Sequence, residues 1–281
     1  MISLITCSIK PDVCKKMLDS VSKTIGTEYE AIVFDNREKQ YGICKAYNEA
    51  ANNANGDYLC FVHEDIEIKS NDWGKNLMEF VDRTEKCGAI GLAGGHFVPQ
   101  NFVCWMVNRT SPMNLYDPSP SDNQEYKHIY YNPDNEVFSK VVCIDGVFMF
   151  VKKSVWEANQ FDESAFKGFH FYDADFSLAV AHEYQNYVYF GMEVHHFSGG
   201  NMDKSYCEDM FLFQKKWKNS LPFSLPGYKV SIWEELNQAE NVFYVLRKNG
   251  FSILESLQRI CQINGVLFVI LFLAKRGRRA I

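Results

Sequence analysis

The stretch Tyr58-Leu59-Cys60-Phe61-Val62-His63-Glu64-Asp65 joins a run of strand-forming apolar residues to three polar side chains. Gly56-Asp57 marks a turn before it. A buried strand that ends in His-Glu-Asp places metal-binding side chains at the carboxyl edge of a sheet, where open α/β sheets bind ligands. A carboxylate at that edge can hold a divalent cation that in turn holds a phosphate. The alternative is an ordinary strand followed by an acidic turn in solvent.

The segments on both sides of this stretch alternate between strand and helix patterns. Short apolar runs and apolar residues at helical spacing predict strands at residues 2–8, 31–34, 58–62 and 89–93 and helices at residues 11–25, 42–53 and 73–84. This alternation is typical of an α/β fold in which helices cover both faces of a mainly parallel sheet.

The pattern changes after residue 96. Residues 97–140 are rich in Pro, Asn and Asp, so we expect an irregular insertion with a β-ribbon, and long loops of this kind often carry specificity. Regular elements then return as strands within 141–151, a helix at 154–159, an aromatic loop at 161–172, a helix at 173–182 and strands at 187–190 and 193–197.

The chain from about residue 205 is predicted to be a helical extension. It contains an amphipathic helix at 231–248 and one longer helix at 251–275, which ends in the apolar run 265–274. That run is too short for a membrane span, which needs about 20 residues. Lys275-Arg276-Gly277-Arg278-Arg279 follows. Segment 263–279 therefore suits either peripheral binding to anionic lipid or docking on protein, with basic residues that complement the helix dipole.

The composition sets limits on the function. The chain of 281 residues is 47% hydrophobic, enough for one large α/β domain with an appendage. Its formal net charge of −6 argues against nucleic acid as a partner, because backbone binding needs a basic surface. The aromatic content of 15% supplies rings for stacking on bases or sugars, although core packing is the simpler role for any one ring.

The nine Cys residues indicate reduced thiols. No two of them have the CxxC spacing of zinc or redox sites, and several, such as Cys60 and Cys143, lie within apolar runs. Buried thiols of this kind suit a cytoplasmic protein. The first residues resemble a strand and lack the basic region of a signal peptide, which favours the same location.

Polar clusters lie at the ends of four apolar segments, where a sheet would bring them together. The clusters are Asp35-Asn36, His63-Glu64-Asp65, Tyr172-Asp173-Ala174-Asp175 and His195-His196. Asp65 with a late histidine suits Mn²⁺ better than Ca²⁺, because it mixes oxygen and nitrogen ligands. Asp173 and Asp175 begin an apolar helix, so their alternative role is to cap it.

The order of these clusters resembles that of the GT-A glycosyltransferases, family 2 in particular, over residues 1–200. The motifs that carry the resemblance are Gly42-Ile-Cys-Lys-Ala-Tyr-Asn48, Glu64-Asp65, Asp145-Gly146, Phe161-Asp162-Glu163, Asp173-Ala174-Asp175-Phe176 and Val194-His195-His196. Two positions depart from the family pattern: His63 replaces the first Asp of the Asp-x-Asp motif, and Tyr172 replaces a Glu. The resemblance implies a GT-A catalytic domain at 1–204, with the insertion at about 97–140, and the helical extension at 205–281.

The resemblance also implies a reaction, the inverting transfer of a sugar from a nucleoside-diphosphate donor to an acceptor hydroxyl. Asp173 matches the catalytic base. Mn²⁺ or Mg²⁺ would rest on Asp65 with His195 or His196 and neutralise the leaving diphosphate. The residues that match the donor site are Thr6, Ser8, Asp35, Lys45, Asn48, Glu64 and Asp65. The acceptor site would draw on Asp145, Gly146, Trp156, Phe169, Phe171, Tyr172 and Asp175.

Alternatives remain open for single residues and for the function. Asn48 could simply brace its helix, and Trp156 could belong to the core. A sugar nucleotidyltransferase would usually carry a Gly-rich loop after the first strand, where this chain has Ser8-Ile9-Lys10-Pro11-Asp12. A non-catalytic nucleotide-sugar-binding or scaffold protein is the other alternative. The acceptor is expected to be a cell-surface polysaccharide, another glycan, a protein or a lipid-linked sugar, and the last of these would place the protein at the inner face of the membrane.

Overall fold

The computed structural model describes residues 1–108, 110–118 and 126–279. The helices of these residues are α1 Pro11–Thr24, α2 Ile43–Asn52, α3 Trp73–Arg83, α4 Lys153–Ala158, α5 Tyr172–Ala181, α6 Lys204–Trp217, α7 Ile232–Lys248, α8 Ile253–Asn264 and α9 Val266–Arg279. The strands are β1 Ile2–Ser8, β2 Tyr29–Asp35, β3 Tyr58–Val62, β4 Ile66–Ile68, β5 Cys87–Gly91, β6 Gly94–Gly95, β7 Phe97–Val98, β8 Met113–Pro118, β9 Tyr126–Tyr131, β10 Phe138–Val141, β11 Cys143–Ile144, β12 Phe148–Lys152, β13 Gln185–Tyr189, β14 Val194–His196 and β15 Phe223–Ser224.

A seven-stranded sheet forms the centre of the molecule, with the strand order β10-β13-β5-β12-β3-β1-β2. The strands β1, β2, β3, β5 and β13 run in one direction, whereas β10 and β12 run in the other. The predicted mainly parallel sheet is confirmed. Because parallel strands end at the same edge, the polar residues that follow β1, β2 and β3 meet there.

Helices cover both faces of this sheet, as predicted. Successive side chains of a strand point to opposite faces, and β3 shows the consequence. Leu59 and Phe61 pack in a core that includes Tyr47 of α2, whereas Val62 packs in a second core with Trp73 of α3. The uninterrupted apolar run of β3 therefore reflects a strand that is buried on both sides.

A second sheet has the strand order β4-β14-β8-β9. β8 and β9 pair antiparallel and form the β-ribbon that the sequence predicts within 97–140; residues 109 and 119–125 of that segment lie outside the described part of the chain. β14 pairs antiparallel with β4, which places His196 opposite Ile66. The late histidines thereby come next to the segment that follows β3.

The C-terminal helices differ from the prediction in one respect. The single helix expected at 251–275 is two helices, because Gly265 has φ +84, a left-handed conformation that glycine adopts without steric cost. The residue ends α8, and α9 starts anew. α6 buries Cys207, Met210 and Phe213 in the core that includes α2. The boundary at residue 204 between a catalytic domain and a helical extension stays a prediction. In the described ranges, no helix has the length and apolar character to cross a bilayer.

Candidate active site

The carboxyl edge of the central sheet brings the predicted polar clusters together. β3 ends at Val62, so His63 and Asp65 follow at this edge. The backbone N–H of Phe197 donates to the Asp65 carbonyl at 2.9 Å and ties the end of β14 to this turn. β12 runs beside β3 with Phe148 opposite Val62, which brings the loop before β12 to the same edge.

His63, Asp65 and His196 form a cluster whose ligand atoms all lie within 4.8 Å of one another. His196 Nε2 is 3.6 Å from Asp65 Oδ1, and it is buried without a hydrogen-bond partner in the described residues. Nδ1 of the same ring lies 3.2 Å from Asp117 Oδ1, an arrangement that orients metal-binding imidazoles. One carboxylate and two imidazoles, one of which has a buried nitrogen without a partner in the described residues, fit a divalent transition-metal ion such as Mn²⁺.

His195 lies apart from this cluster. Neighbouring residues of a strand point to opposite faces, so His195 and His196 of β14 diverge. His195 Nε2 is 2.8 Å from Glu193 Oε1, and its ring stacks on Tyr116 at a centroid distance of 4.6 Å. The structure thus brings His196 rather than His195 to Asp65, and it adds His63, which the sequence identified only as a departure from the family pattern.

The two departures from the family pattern contact each other. The Tyr172 hydroxyl donates to the Gly146 carbonyl at 3.0 Å and lies 2.8 Å from His63 Nε2. A hydroxyl has one proton, and here Gly146 accepts it, so His63 Nε2 must donate to the Tyr172 oxygen. A neutral His63 then keeps its lone pair on Nδ1, the form in which an imidazole binds metal.

The two histidines of the cluster have opposite pKa shifts. Burial, followed by the proximity of His196, lowers the pKa of His63. Burial also favours a neutral His196, but the hydrogen bond that His196 donates to Asp117 and the charge of Asp65 outweigh it and raise the pKa of His196. The carboxylates around His196 therefore favour a positive charge at this position, and a bound cation would take that place.

Asp173 lies in the first turn of α5, directly after Tyr172, whose hydroxyl contacts His63. Burial, followed by the charge of Asp145, raises the pKa of the Asp173 carboxyl to about 7. Its Oδ1 accepts a hydrogen bond from the Ala174 N–H at 2.8 Å. A carboxyl whose pKa lies near 7 can accept a proton from a hydroxyl at neutral pH and hold it.

The Asp145-Gly146 turn packs directly against α5. Asp145 accepts hydrogen bonds from Trp105 Nε1 at 2.5 Å and from the Val147 N–H at 2.9 Å, which fix its carboxylate. A Cβ atom at Gly146 would lie 2.2 Å from the Tyr172 hydroxyl oxygen and 3.0 Å from the Asp173 Cβ. Only glycine leaves room for the helix at this point.

Asp175 faces away from the cluster, into the junction of α5 with α6. It is buried, and it accepts from Lys216 Nζ and Trp217 Nε1, each at 2.8 Å. Lys216 also binds Asp162 at 2.7 Å. These contacts engage both oxygens of the Asp175 carboxylate and tie α5 to α6.

Glu64 closes the turn between β1 and α1. Its carboxylate accepts from the Ser8 hydroxyl at 2.6 Å, from the Ile9 N–H at 3.3 Å and from the Lys10 N–H at 3.0 Å. Ser8 is buried by this contact. Both residues predicted for the donor site thus lie at the strand ends, where they hold the loop between β1 and α1.

The other residues predicted for the donor site differ in their exposure and partners. Thr6 is 1% exposed, and its hydroxyl oxygen has no partner in the described residues. Asp35 is exposed and forms a paired contact with Arg37. Lys45 lies 3.9 Å above the Tyr41 ring. Asn48 is buried and is bound to the loop at 161–163: its amide nitrogen donates to the Phe161 carbonyl at 2.8 Å, and its oxygen accepts from the Phe161 N–H at 3.2 Å.

The aromatic residues predicted to meet the acceptor separate into core and surface. Trp156 is 1% exposed and belongs to the core, and Phe171 is also buried. Phe169 is 54% exposed, and its ring centroid lies 5.5 Å from that of His63. Of these three rings, Phe169 is the one that offers an open face beside the cluster.

Comparison with known proteins agrees with this geometry. Residues 3–218 match the glycosyltransferase-like family, which covers all of the elements that form the site. The chain belongs to this family. No curated protein is significantly similar to it.

Several solved structures are similar to this chain. GalNAc-T7, whose crystal structure contains UDP, GalNAc and Mn²⁺, superposes with a TM-score of 0.52 at 10% identity, over 93% of this chain and 56% of that one. S. aureus TarS 1-349 matches with a TM-score of 0.43 at 13% identity, over 93% and 70%. A197 from STIV matches with a TM-score of 0.41 at 15% identity, over 70% and 86%. The family match and the likeness to GalNAc-T7 show a GT-A fold for the chain, with helices at its C-terminal end.

Proposed function

We propose that this protein is a metal-dependent glycosyltransferase that moves a sugar from a nucleoside-diphosphate donor to an acceptor hydroxyl. The single observation that carries the proposal is the cluster of His63, Asp65 and His196, which is joined through a hydrogen bond of His63 to Tyr172, the residue before Asp173. The cluster can hold a metal ion, and the neighbouring helix α5 supplies Asp173, a carboxyl group with a pKa near 7. These are the two groups that the reaction requires.

Asp173 is proposed as the general base. The proton of a sugar hydroxyl must leave during attack, because the free hydroxyl has a pKa far above 7. A carboxylate with a raised pKa takes that proton more readily than an ordinary one. Attack by a hydroxyl that this single base activates, in line with the departing diphosphate, inverts the anomeric carbon.

His63, Asp65 and His196 are proposed to hold the metal, Mn²⁺ or Mg²⁺. When bound, the metal would supply positive charge for the diphosphate that leaves. Asp117 orients His196, and Tyr172 orients His63. The chain's own contribution is therefore to fix both rings before donor and metal arrive, which lowers the cost of binding.

The positions of these residues at the sheet edge also suggest where donor and acceptor bind. We propose that the donor nucleoside and diphosphate lie against the ends of the first three strands, along Thr6, Ser8, Asp35, Lys45, Asn48, Glu64 and Asp65. Two observations favour this side: the Thr6 hydroxyl has no hydrogen-bond partner among the described residues, and the Asp35 carboxylate is exposed. We propose an acceptor that contacts Asp145, Gly146 and Tyr172, which lie next to Asp173, and that stacks on the exposed ring of Phe169. The buried Trp156, Phe171 and Asp175 support this side from behind. Glycan or lipid-linked sugars, used in surface polysaccharide synthesis at the inner membrane face, are the acceptors we propose.

A donor screen tests the proposal. The protein is incubated with Mn²⁺ and a panel of nucleotide sugars that includes UDP-GalNAc, and release of the nucleoside diphosphate and thermal stabilisation are both measured, since a ligand of the native state raises the midpoint. We expect at least one donor to stabilise the fold and to be turned over. Stabilisation without turnover, with or without added acceptor glycans, would instead indicate a nucleotide-sugar-binding protein.

A further inference from the structure

The last helix, α9, has apolar residues on nearly all sides. It buries Phe268 and Phe272, which lie one turn apart, in the core. Five further large aliphatic side chains of this helix are between 45% and 72% exposed: Val266, Leu267, Ile270, Leu271 and Leu273. A surface helix of a soluble domain carries polar residues at such positions, so a contiguous apolar face of this size indicates a binding surface.

The neighbouring helices extend this surface around a cavity. The cavity of about 480 Å³ lies between α7, α8 and α9 and is lined by Phe243, Tyr244, Arg247, Ile253, Leu257, Leu273 and Arg276. Tyr244 and Ile253 are mostly exposed. The Arg276 guanidinium lies 4.4 Å from the centroid of the Phe243 ring, and Arg247 donates to the Phe251 carbonyl. Two guanidinium groups are thus held beside apolar walls.

The charge around this surface is opposite to that of the whole chain. Residues 240–281 contain seven Lys and Arg and two acidic residues, Glu240 and Glu255, in a chain with a formal net charge of −6. Glu240 is paired with Lys275 at 3.3 Å. Glu255 is engaged by Ser252 in the capping box of α8. Arg247 and Lys248 are exposed at the end of α7. An occupant of this surface must therefore be apolar where it meets α9 and anionic where it meets the cations.

We propose that the surface formed by α9 and this cavity binds an anionic phospholipid bilayer, with the aliphatic side chains in the boundary between headgroups and acyl chains. Amphipathic helices with this composition lie in that boundary, and exposed Lys and Arg gain from the negative surface potential. A second copy of the chain fits less well, because a self-complementary contact would bring the exposed Arg247, Lys248 and Arg276 toward an equally cationic surface. The proposal is independent of the sugar-transfer reaction.

Flotation of the full chain with liposomes tests the proposal. The vesicles are phosphatidylcholine alone or phosphatidylcholine with about a third phosphatidylglycerol. We expect binding to the anionic vesicles, weakened by salt, and little binding to the neutral ones. Leu267→Ser should reduce the partition coefficient about tenfold, because it removes a large apolar contact. Lys248→Ala should reduce it about fivefold, since each cation near the surface adds a modest electrostatic gain.

Matched variants separate this surface from general effects. Val137→Ser removes another aliphatic side chain that is 59% exposed, and Lys15→Ala removes an exposed cation from α1. Both should bind vesicles as the wild type does, and all four variants should keep the wild-type melting temperature. Equal partition of wild type and Leu267→Ser would overturn the proposal. So would a dimer in analytical ultracentrifugation that Leu267→Ser dissociates without any vesicle binding, because a second copy would then occupy the surface.

Discussion

Replacing Asp173 with Asn should abolish sugar transfer and at the same time stabilise the fold. The carboxyl has a pKa of about 7 in the folded protein, against an ordinary value of 3.8, because it is desolvated and close to Asp145. Asn has the same shape and keeps the oxygen that accepts from the Ala174 N–H. The substitution therefore removes the base and its buried charge while leaving the local hydrogen bond in place.

The size and pH dependence of the stabilisation follow from linkage. Below pH 3.8 the Asp173 carboxyl is protonated in both states, so it contributes nothing. Between 3.8 and 7 only the unfolded state ionises, which destabilises the native protein by about 1.4 kcal/mol for each pH unit. Above pH 7 both states are ionised and the difference is constant, at roughly 4 kcal/mol as an upper limit. Above pH 7, the free energy of unfolding of Asp173→Asn should exceed that of the wild type by up to this amount.

Urea unfolding of both proteins at several pH values between 4 and 8 measures this difference. Asp162→Asn is a matched control of opposite sign: burial opposes ionisation there, but the bonds from Lys216 and Ser164 prevail and lower the pKa of Asp162 to about 2. The ionised Asp162 carboxylate stabilises the fold above about pH 4. Asp162→Asn should therefore be less stable than the wild type at every pH tested, and the difference should not increase between pH 4 and 7. Calorimetry should show that Asp173→Asn still binds donor. An Asp173→Asn protein no more stable than wild type at pH 8, or one that still transfers sugar, would refute the reasoning.

Three further substitutions test the surroundings of this carboxyl. Tyr172→Phe removes the hydroxyl that holds His63 and should weaken Mn²⁺ binding at least about tenfold in calorimetric titration. Gly146→Ala places a methyl group 2.2 Å from the Tyr172 hydroxyl oxygen, and it should lower stability by about 1–3 kcal/mol in urea unfolding, as overpacking does, together with activity. Asp145→Asn removes the negative charge that raises the pKa of Asp173 and should move the acid limb of the kcat/KM profile from near pH 7 to lower pH by about one unit.

Each of these substitutions has an outcome that contradicts its argument. Unchanged Mn²⁺ affinity in Tyr172→Phe would mean that the hydroxyl does not position the ring. Wild-type melting and turnover in Gly146→Ala would show that the turn has room to move. An acid limb at the wild-type position in Asp145→Asn would mean that burial alone sets the pKa of Asp173.

The sequence predicted the fold well because its signals are local. The run that ends at Val62 is apolar at every position, which indicates a strand covered on both faces, and the structure places Phe61 and Val62 in two different cores. The break of the last helix was missed. Gly265 interrupts a pattern that otherwise continues, and a single glycine in a helical pattern does not by itself reveal a positive φ.

The site was predicted in part, because its remaining features depend on contacts between distant residues. Compared one at a time with the family pattern, His63 and Tyr172 each appear to replace a functional carboxylate. In the structure, their side chains form one hydrogen bond with each other. The choice between His195 and His196 depends on the register of β14 against β4, and no local pattern gives it. Asp175 likewise has its partner on α6.

Metal-dependent release of nucleoside diphosphate from a nucleotide sugar tests the central claim most directly. With Mn²⁺ present we predict turnover by the wild type, loss of turnover in excess chelator with recovery when Mn²⁺ is restored, and loss of both turnover and Mn²⁺ binding in Asp65→Ala. Turnover that persists undiminished in chelator and in Asp65→Ala would contradict the assignment of His63, Asp65 and His196 as the metal site of a glycosyltransferase.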